Sequence, residues 1–445
     1  MKAIVLLFLL LNTSFLFSQD HIDKIDSYLN TYANTGDFSG CVRIVKGEKV
    51  LYEKCVGKLD DENNEKNSPQ TAFRIGSISK QFTAAAILLL EEEGLLSTSD
   101  PLYRFFPAYP KVAKISIEQL LTHRSGIPDI FALDNFQELV SRDSKLGALS
   151  KSLLEAEMEF EPGSRYQYSN GAYALLAQII EDLSGMSYQS FIQQEIFSPL
   201  GMEQSGQDVK ASQRLKMAKG YEPKGFKQRI ESVELPMELL KGSGSLYSNV
   251  YDLSTWISSL KEKSLLSEAS YQKLFNNYGN NYGLGVSLYK VFDRKVFGHD
   301  GRINGFIADY LHYEEEDISI IILGNIQTGV ADFIRRDLAA IVFDEPYESR
   351  AKTVSASSDQ HLAFEDAIGV YAFGPNFQVY IDEIDGQLHA RANEGAYTEL
   401  VPVEGGKYFS RTLYAFIKFE KGEQNSINKI LWINNDGRSF EGKRE

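Results

Sequence analysis

The sequence predicts an α/β protein whose sheet is assembled from both ends of the chain, with a helical subdomain inserted between them and a small all-β barrel or sandwich after it. Three observations predict this. Two strand-like runs lie near the start, and residues 101–264 read mostly as helices broken by Gly and Pro. Further strands follow that middle, and past residue 360 the texture changes to short alternating runs.

Residues 20–33 open the chain's first helix, with Ile22, Ile25, Tyr28 and Leu29 on one face. A hairpin follows, residues 41–46 and 49–56 around a Gly47-Glu48 turn. Residues 82–96 form a strongly apolar helical run, and residues 171–183 are the clearest helix of the middle. Strands return at 282–289, 295–299, 306–313 and 318–323, and a last helix over 330–342 would cover one face of the sheet. Residues 345–360 have few apolar side chains and read as a linker. In residues 361–445, alternating runs such as Phe377 to Ile381 and Leu413 to Ile417 are separated by turn signals at Asp385-Gly386, Gly405-Gly406 and Asp436-Gly437. The expected organisation is 1–18 signal peptide, 20–344 main domain, 345–360 linker and 361–445 all-β domain.

The N-terminus reads as an export signal: Lys2, then an almost wholly apolar run from Ala3 to Leu11, ending near Ser18. The run is short for a bilayer span, which needs about 20 residues, although an uncleaved anchor is the alternative. A periplasmic or secreted protein with no integral span after cleavage is therefore expected. The net charge of −15 comes without a basic cluster, which makes nucleic acid and anionic membrane surfaces poor candidate partners, since both repel an acidic surface. A small molecule or peptide is the expected partner, and the oligomeric state is left open. Cys41 and Cys55 are the only cysteines. A hairpin register pairing 46 with 50 sets 41 opposite 55 and permits a disulfide, while a one-residue slip leaves two free thiols.

Three short motifs carry possible chemistry. Ser77-Ile78-Ser79-Lys80 directly precedes the apolar helix, so Ser77 falls in the first turn with Lys80 one turn on. A serine nucleophile needs an adjacent base, and a lysine shielded from water is neutral enough to serve. Tyr168-Ser169-Asn170 stands in a short loop before a helix; a cationic lysine beside Tyr168 would lower its phenol pKa and make it a base. His299-Asp300-Gly301 ends a strand, where His299 would donate to substrate or to the Ser77/Tyr168 network and Gly301 would let a substrate lie close. Each motif alone also fits a bland reading: a helix cap, a packing aromatic, a structural histidine. Ser-x-x-Lys and Tyr-x-Asn both recur elsewhere in the chain.

Together and in this order, the three motifs resemble those of the serine penicillin-recognising hydrolases: class C β-lactamases, D-alanyl-D-alanine peptidases, D-aminopeptidases and related esterases. The segments from Phe73 to Lys80, Leu120 to Pro128, Tyr166 to Asn170 and Gly242 to Ser248 match the same texture, and the likeness runs from about residue 22 to 344. The resemblance implies an antiparallel sheet flanked by helices. It implies that Ser77 is the nucleophile of an acyl-enzyme, and that Lys80 and Tyr168 share the proton transfers. Asn170 would hold the substrate amide, His299 and Gly301 would belong to the substrate-side strand, and the N–H groups of Ser77 and Arg302 would form the oxyanion hole. No metal and no organic cofactor is implied. His123 reads as a structural hydrogen-bonder.

Where class C β-lactamases carry Lys-Thr-Gly, this chain has His299-Asp300-Gly301, which removes a positive charge and adds a negative one. The departure shifts the expectation from β-lactams towards D-amino-acid-containing peptides or small esters, with Arg302 available to neutralise Asp300 or bind an anion. The competing function is a catalytically idle or slowly deacylating protein that binds cell-wall peptides or β-lactams.

Overall fold

A computed structural model describes residues 17–207, 216–348, 363–375, 377–393, 395–422, 426–434 and 437–445. The signal segment 1–18 and the linker 345–360 fall almost wholly outside them.

Six antiparallel strands form the central sheet, in the order Lys49–Val56, Gly40–Lys46, Ile318–Gly324, Phe306–Tyr313, Arg294–Ile303 and Ser287–Val291. The strand from the chain's beginning thus pairs directly with one from its end. The sheet is buried on both faces, so its inner strands read as continuous apolar runs. In Ile318–Gly324, Ile318, Ile320 and Ile322 pack towards the helices Gln19–Thr35 and Ile334–Val342. Ile321 and Leu323, on the opposite pleat, pack into the helical subdomain. That subdomain is centred on Ser79–Glu92 and Asn170–Ser184, whose apolar faces are fully buried.

Two expectations need correction. The strand expected at 282–289 begins only at Ser287, because Gly283 and Gly285 interrupt it, the latter at φ +72°. A Cβ on Gly285 would lie 2.8 Å from the carbonyl oxygen of Lys80, so the preceding loop packs on the Ser79–Glu92 helix. The early hairpin pairs Lys46 with Lys49 rather than residue 50, and a bulge between Ile44 and Val45 restores the register further along. Cys41 therefore still meets Cys55, and the two form a disulfide.

The described residues between 369 and 444 form a nearly closed barrel of nine strands, whose edge strands Thr398–Glu399 and Val401–Val403 are separated only by Leu400. The barrel sits against the first helix. The Arg411 guanidinium, itself buried, donates to Asp37 Oδ1 at 2.8 Å and to the carbonyl oxygens of Gly36 and Gln228, both at 2.6 Å. Tyr414 packs on Tyr32 and Phe333. Among the described residues, none from the barrel lines either cavity at Ser77.

Candidate active site

Ser77 lies in the 3-10 turn Gly76–Ile78, which runs directly into the Ser79–Glu92 helix. Lys80, one turn on, is fully buried and its Nζ stands 3.1 Å from Ser77 Oγ. The same Nζ lies 2.8 Å from Asn170 Oδ1 and 2.8 Å from the carbonyl oxygen of Ser243. Burial pushes the Lys80 ammonium down to about 7, against smaller opposing effects of Asp129 and Asp300. A neutral Lys80 directs two N–H groups at two carbonyl oxygens, which leaves its lone pair for the Ser77 hydroxyl proton. Asp129 fixes that arrangement, since its Oδ2 accepts from both the backbone N–H and the side-chain Nδ2 of Asn170, each at 2.8 Å. The Asn170 oxygen is thereby held towards Lys80, while the side chain also borders the smaller cavity at Ser77.

Tyr168 is in hydrogen-bond reach of Ser77, and Lys80 Nζ sits 4.7 Å from its ring centre. The expectation of a lowered phenol pKa is overturned. Burial first, with Asp300, Tyr166 and Asp129 adding to it, holds Tyr168 well above the usual tyrosine range. It is a neutral phenol, able to relay a proton but not to start as tyrosinate.

His299 is also redirected. Its Nδ1 lies against the carbonyl oxygen of Asp300, so Nδ1 carries the proton and Nε2 accepts from the Tyr282 hydroxyl at 3.0 Å. His123 Nδ1 accepts the backbone N–H of Ser169 at 3.1 Å, which leaves its Nε2–H to donate to the Tyr282 oxygen at 3.3 Å. Every proton in the chain His123, Tyr282, His299 is thus assigned. Both ring nitrogens of His299 are engaged within the protein, while its side chain still borders the larger cavity at Ser77, and burial holds its pKa down to about 4. His123 is the structural bonder expected, at φ +57°, with its ring 4.2 Å from that of Tyr168.

Gly301 serves a different closeness from the one expected. A Cβ there would lie 2.0 Å from the Ile75 carbonyl oxygen and 3.0 Å from Ser77 N, so protein backbone fills the space. A Cβ on Gly76 would meet Arg302 N at 2.8 Å. The strand and the serine turn touch backbone to backbone, which brings the N–H groups of Ser77 and Arg302 to one place. The Arg302 side chain does not neutralise Asp300; it is ion-paired with Asp332.

Ser77 borders two cavities. One, of about 580 Å³, is walled by Tyr166, Tyr168, Tyr282, Tyr289 and Asp300; the other, of about 230 Å³, by Phe131, Asn170, Leu240 and Asn304. Among the described residues no cluster has the donors to hold a metal ion, and the chemistry of the Ser77–Lys80 pair needs none. Sequence reasoning missed Asp129, although it directly follows the segment ending at Pro128. It also missed Tyr282, placed in a strand, and the Ser243 carbonyl, which no side-chain pattern signals.

A serine paired with a buried lysine one turn on, in a helical subdomain set against an antiparallel sheet, defines a serine hydrolase of the Ser-x-x-Lys type. The chain belongs to the beta-lactamase family, whose model matches residues 25–343. A penicillin-binding protein of Bacillus subtilis is 26% identical over 457 residues, covering 96% of this chain and 99% of its own. A second protein of that organism, PbpX, is 32% identical over 311 residues, or 70% of this chain and 75% of its own. In solved structures, the D-amino acid amidase of Ochrobactrum anthropi superposes with a TM-score of 0.64 at 22% identity, over 73% of this chain and 98% of that one, a likeness of fold.

Proposed function

We propose that the protein hydrolyses amides or esters through an acyl-Ser77 intermediate, on D-amino-acid-containing peptides or small esters, outside the cytoplasm. The observation that carries this reading is the 3.1 Å approach of Lys80 Nζ to Ser77 Oγ, with burial bringing the lysine down to about 7. Neutral Lys80 takes the Ser77 proton as Oγ attacks the substrate carbonyl carbon. The developing oxyanion is received by the N–H groups of Ser77 and Arg302. Tyr168 relays a proton to the departing nitrogen or oxygen, and water then attacks the acyl group by the reverse proton path. Relatives named as penicillin-binding proteins support a peptide-like substrate, and the loss of the Lys-Thr pattern at His299-Asp300 argues against β-lactams. The apolar N-terminal run and the Cys41–Cys55 disulfide support export to an oxidising compartment.

Turnover of D-alanine p-nitroanilide, its L isomer and p-nitrophenyl acetate tests the reading. Hydrolysis of the D anilide or the ester, absent in Ser77→Ala, is the expected result. Stable binding of cell-wall peptide without turnover of any of the three would replace it with an idle binding protein.

A further inference from the structure

The 580 Å³ cavity at Ser77 carries an unbalanced charge. Asp300 is exposed on its wall, and its carboxylate has no hydrogen bond or ion pair among the described residues. Among the described residues, the basic side chains that feel its charge, Lys80 and Arg335, make their direct contacts with other groups. Arg302, two residues on and itself on the cavity wall, is ion-paired with Asp332. Arg335, behind the sheet edge, donates to Asp309 at 2.9 Å, and Asp309 is the residue directly opposite Asp300 across the strands. His299 is neutral between Tyr282 and the Asp300 carbonyl. The neighbouring strand Ser287–Val291 pairs only with residues 294–298, so at Asp300 the sheet edge is open to the cavity.

The position is also close to the chemistry. Asp300 immediately precedes Gly301, whose Cα region abuts Ser77 N. Around it the cavity presents Tyr166, Tyr168, Tyr282 and Tyr289. A carboxylate beside several aromatic rings is an environment that favours an organic cation and repels an anion.

We propose that Asp300 is the specificity-determining residue of this site, its carboxylate receiving a primary ammonium group that the substrate carries next to the scissile carbonyl. The inference rests on the acyl-Ser77 reading and narrows it: the substrates are amino-acid amides, esters or peptides with a free amino terminus, rather than N-acylated ones.

A matched pair of covalent probes tests it on the full chain, diphenyl 1-aminoethylphosphonate and its N-acetyl form. In each, Ser77 Oγ bonds to phosphorus and one phenoxide leaves, taking up the serine proton as phenol. Second-order rate constants for Ser77 modification are read by intact mass, and their ratio, amine over acetamide, cancels any loss of folded protein. Asp300→Asn lowers the ratio by about tenfold or more, the scale of a charge-assisted hydrogen bond, and Asp300→Glu recovers part of it. An Asp300→Asn ratio within twofold of wild type overturns the proposal. So does a wild type in which a fluorophosphonate labels Ser77 while neither aminophosphonate does. If the fluorophosphonate also fails, it is the acyl-Ser77 reading that falls.

Discussion

The Tyr282 hydroxyl donates to Nε2 of His299 across 3.0 Å, and it accepts from Nε2 of His123 on its other side. One phenol thus ties the sheet strand Arg294–Ile303 to the loop that holds Tyr168. All three side chains are buried, so none can turn to water if a partner is lost.

Tyr282→Phe leaves His299 Nε2 without a donor and His123 Nε2–H without an acceptor. At about 1–3 kcal/mol for each unsatisfied buried group, thermal or denaturant unfolding should show a loss of about 2–6 kcal/mol. Activity should fall as well, because the His123 ring packs against Tyr168.

The base should be visible in a pH profile. Lys80 is active only when neutral, so kcat/KM should rise with pH through about 7 and level above it. Asp129 favours the ammonium form of Lys80, so Asp129→Asn should move this acid limb to lower pH. The same variant loosens Asn170 and should lower the plateau. A limb that stays in place in Asp129→Asn would deny Lys80 the role of base.

Gly301→Ala would thrust a Cβ to 2.0 Å from the Ile75 oxygen. Strand and serine turn must then separate, pulling the Arg302 N–H away from the Ser77 N–H. Loss of one oxyanion donor costs about 10²–10³ in rate, and a loss of that order in kcat is expected with the protein still folded.

Arg411→Ala strands Asp37 in a buried site, with side-chain exposures of 3% and 5% for the pair. Breaking such a pair costs about 3–5 kcal/mol, which calorimetry should show as a lowered melting temperature. Because none of the described barrel residues lines the Ser77 cavities, the substrate range should stay unchanged below that temperature.

What the sequence revealed follows the range of its signals. The apolar run in Ile318–Gly324 and the apolar run behind Ser77 are local patterns, and both placed their elements correctly. Ser77, Lys80, Tyr168 and Asn170 were legible because an ordered set of short motifs surrounds them. The direction of the Tyr168 pKa was not, since burial outweighs the lysine beside it and burial belongs to the fold. Tyr282 was read as strand because its neighbours are apolar, whereas Gly283 and Gly285 turn it into a loop. Asp129 reaches Asn170 across 41 positions and Arg411 reaches Asp37 across 374, separations at which no periodicity operates.

The central claim is that Ser77 is a nucleophile activated by Lys80. Intact mass after brief exposure to a fluorophosphonate tests it most directly, with Ser77→Ala and Lys80→Ala alongside. One phosphonyl adduct on the wild type, absent in Ser77→Ala and formed far more slowly in Lys80→Ala, is the predicted result. No adduct on folded wild-type protein, or equal labelling of wild type and Ser77→Ala, would contradict it.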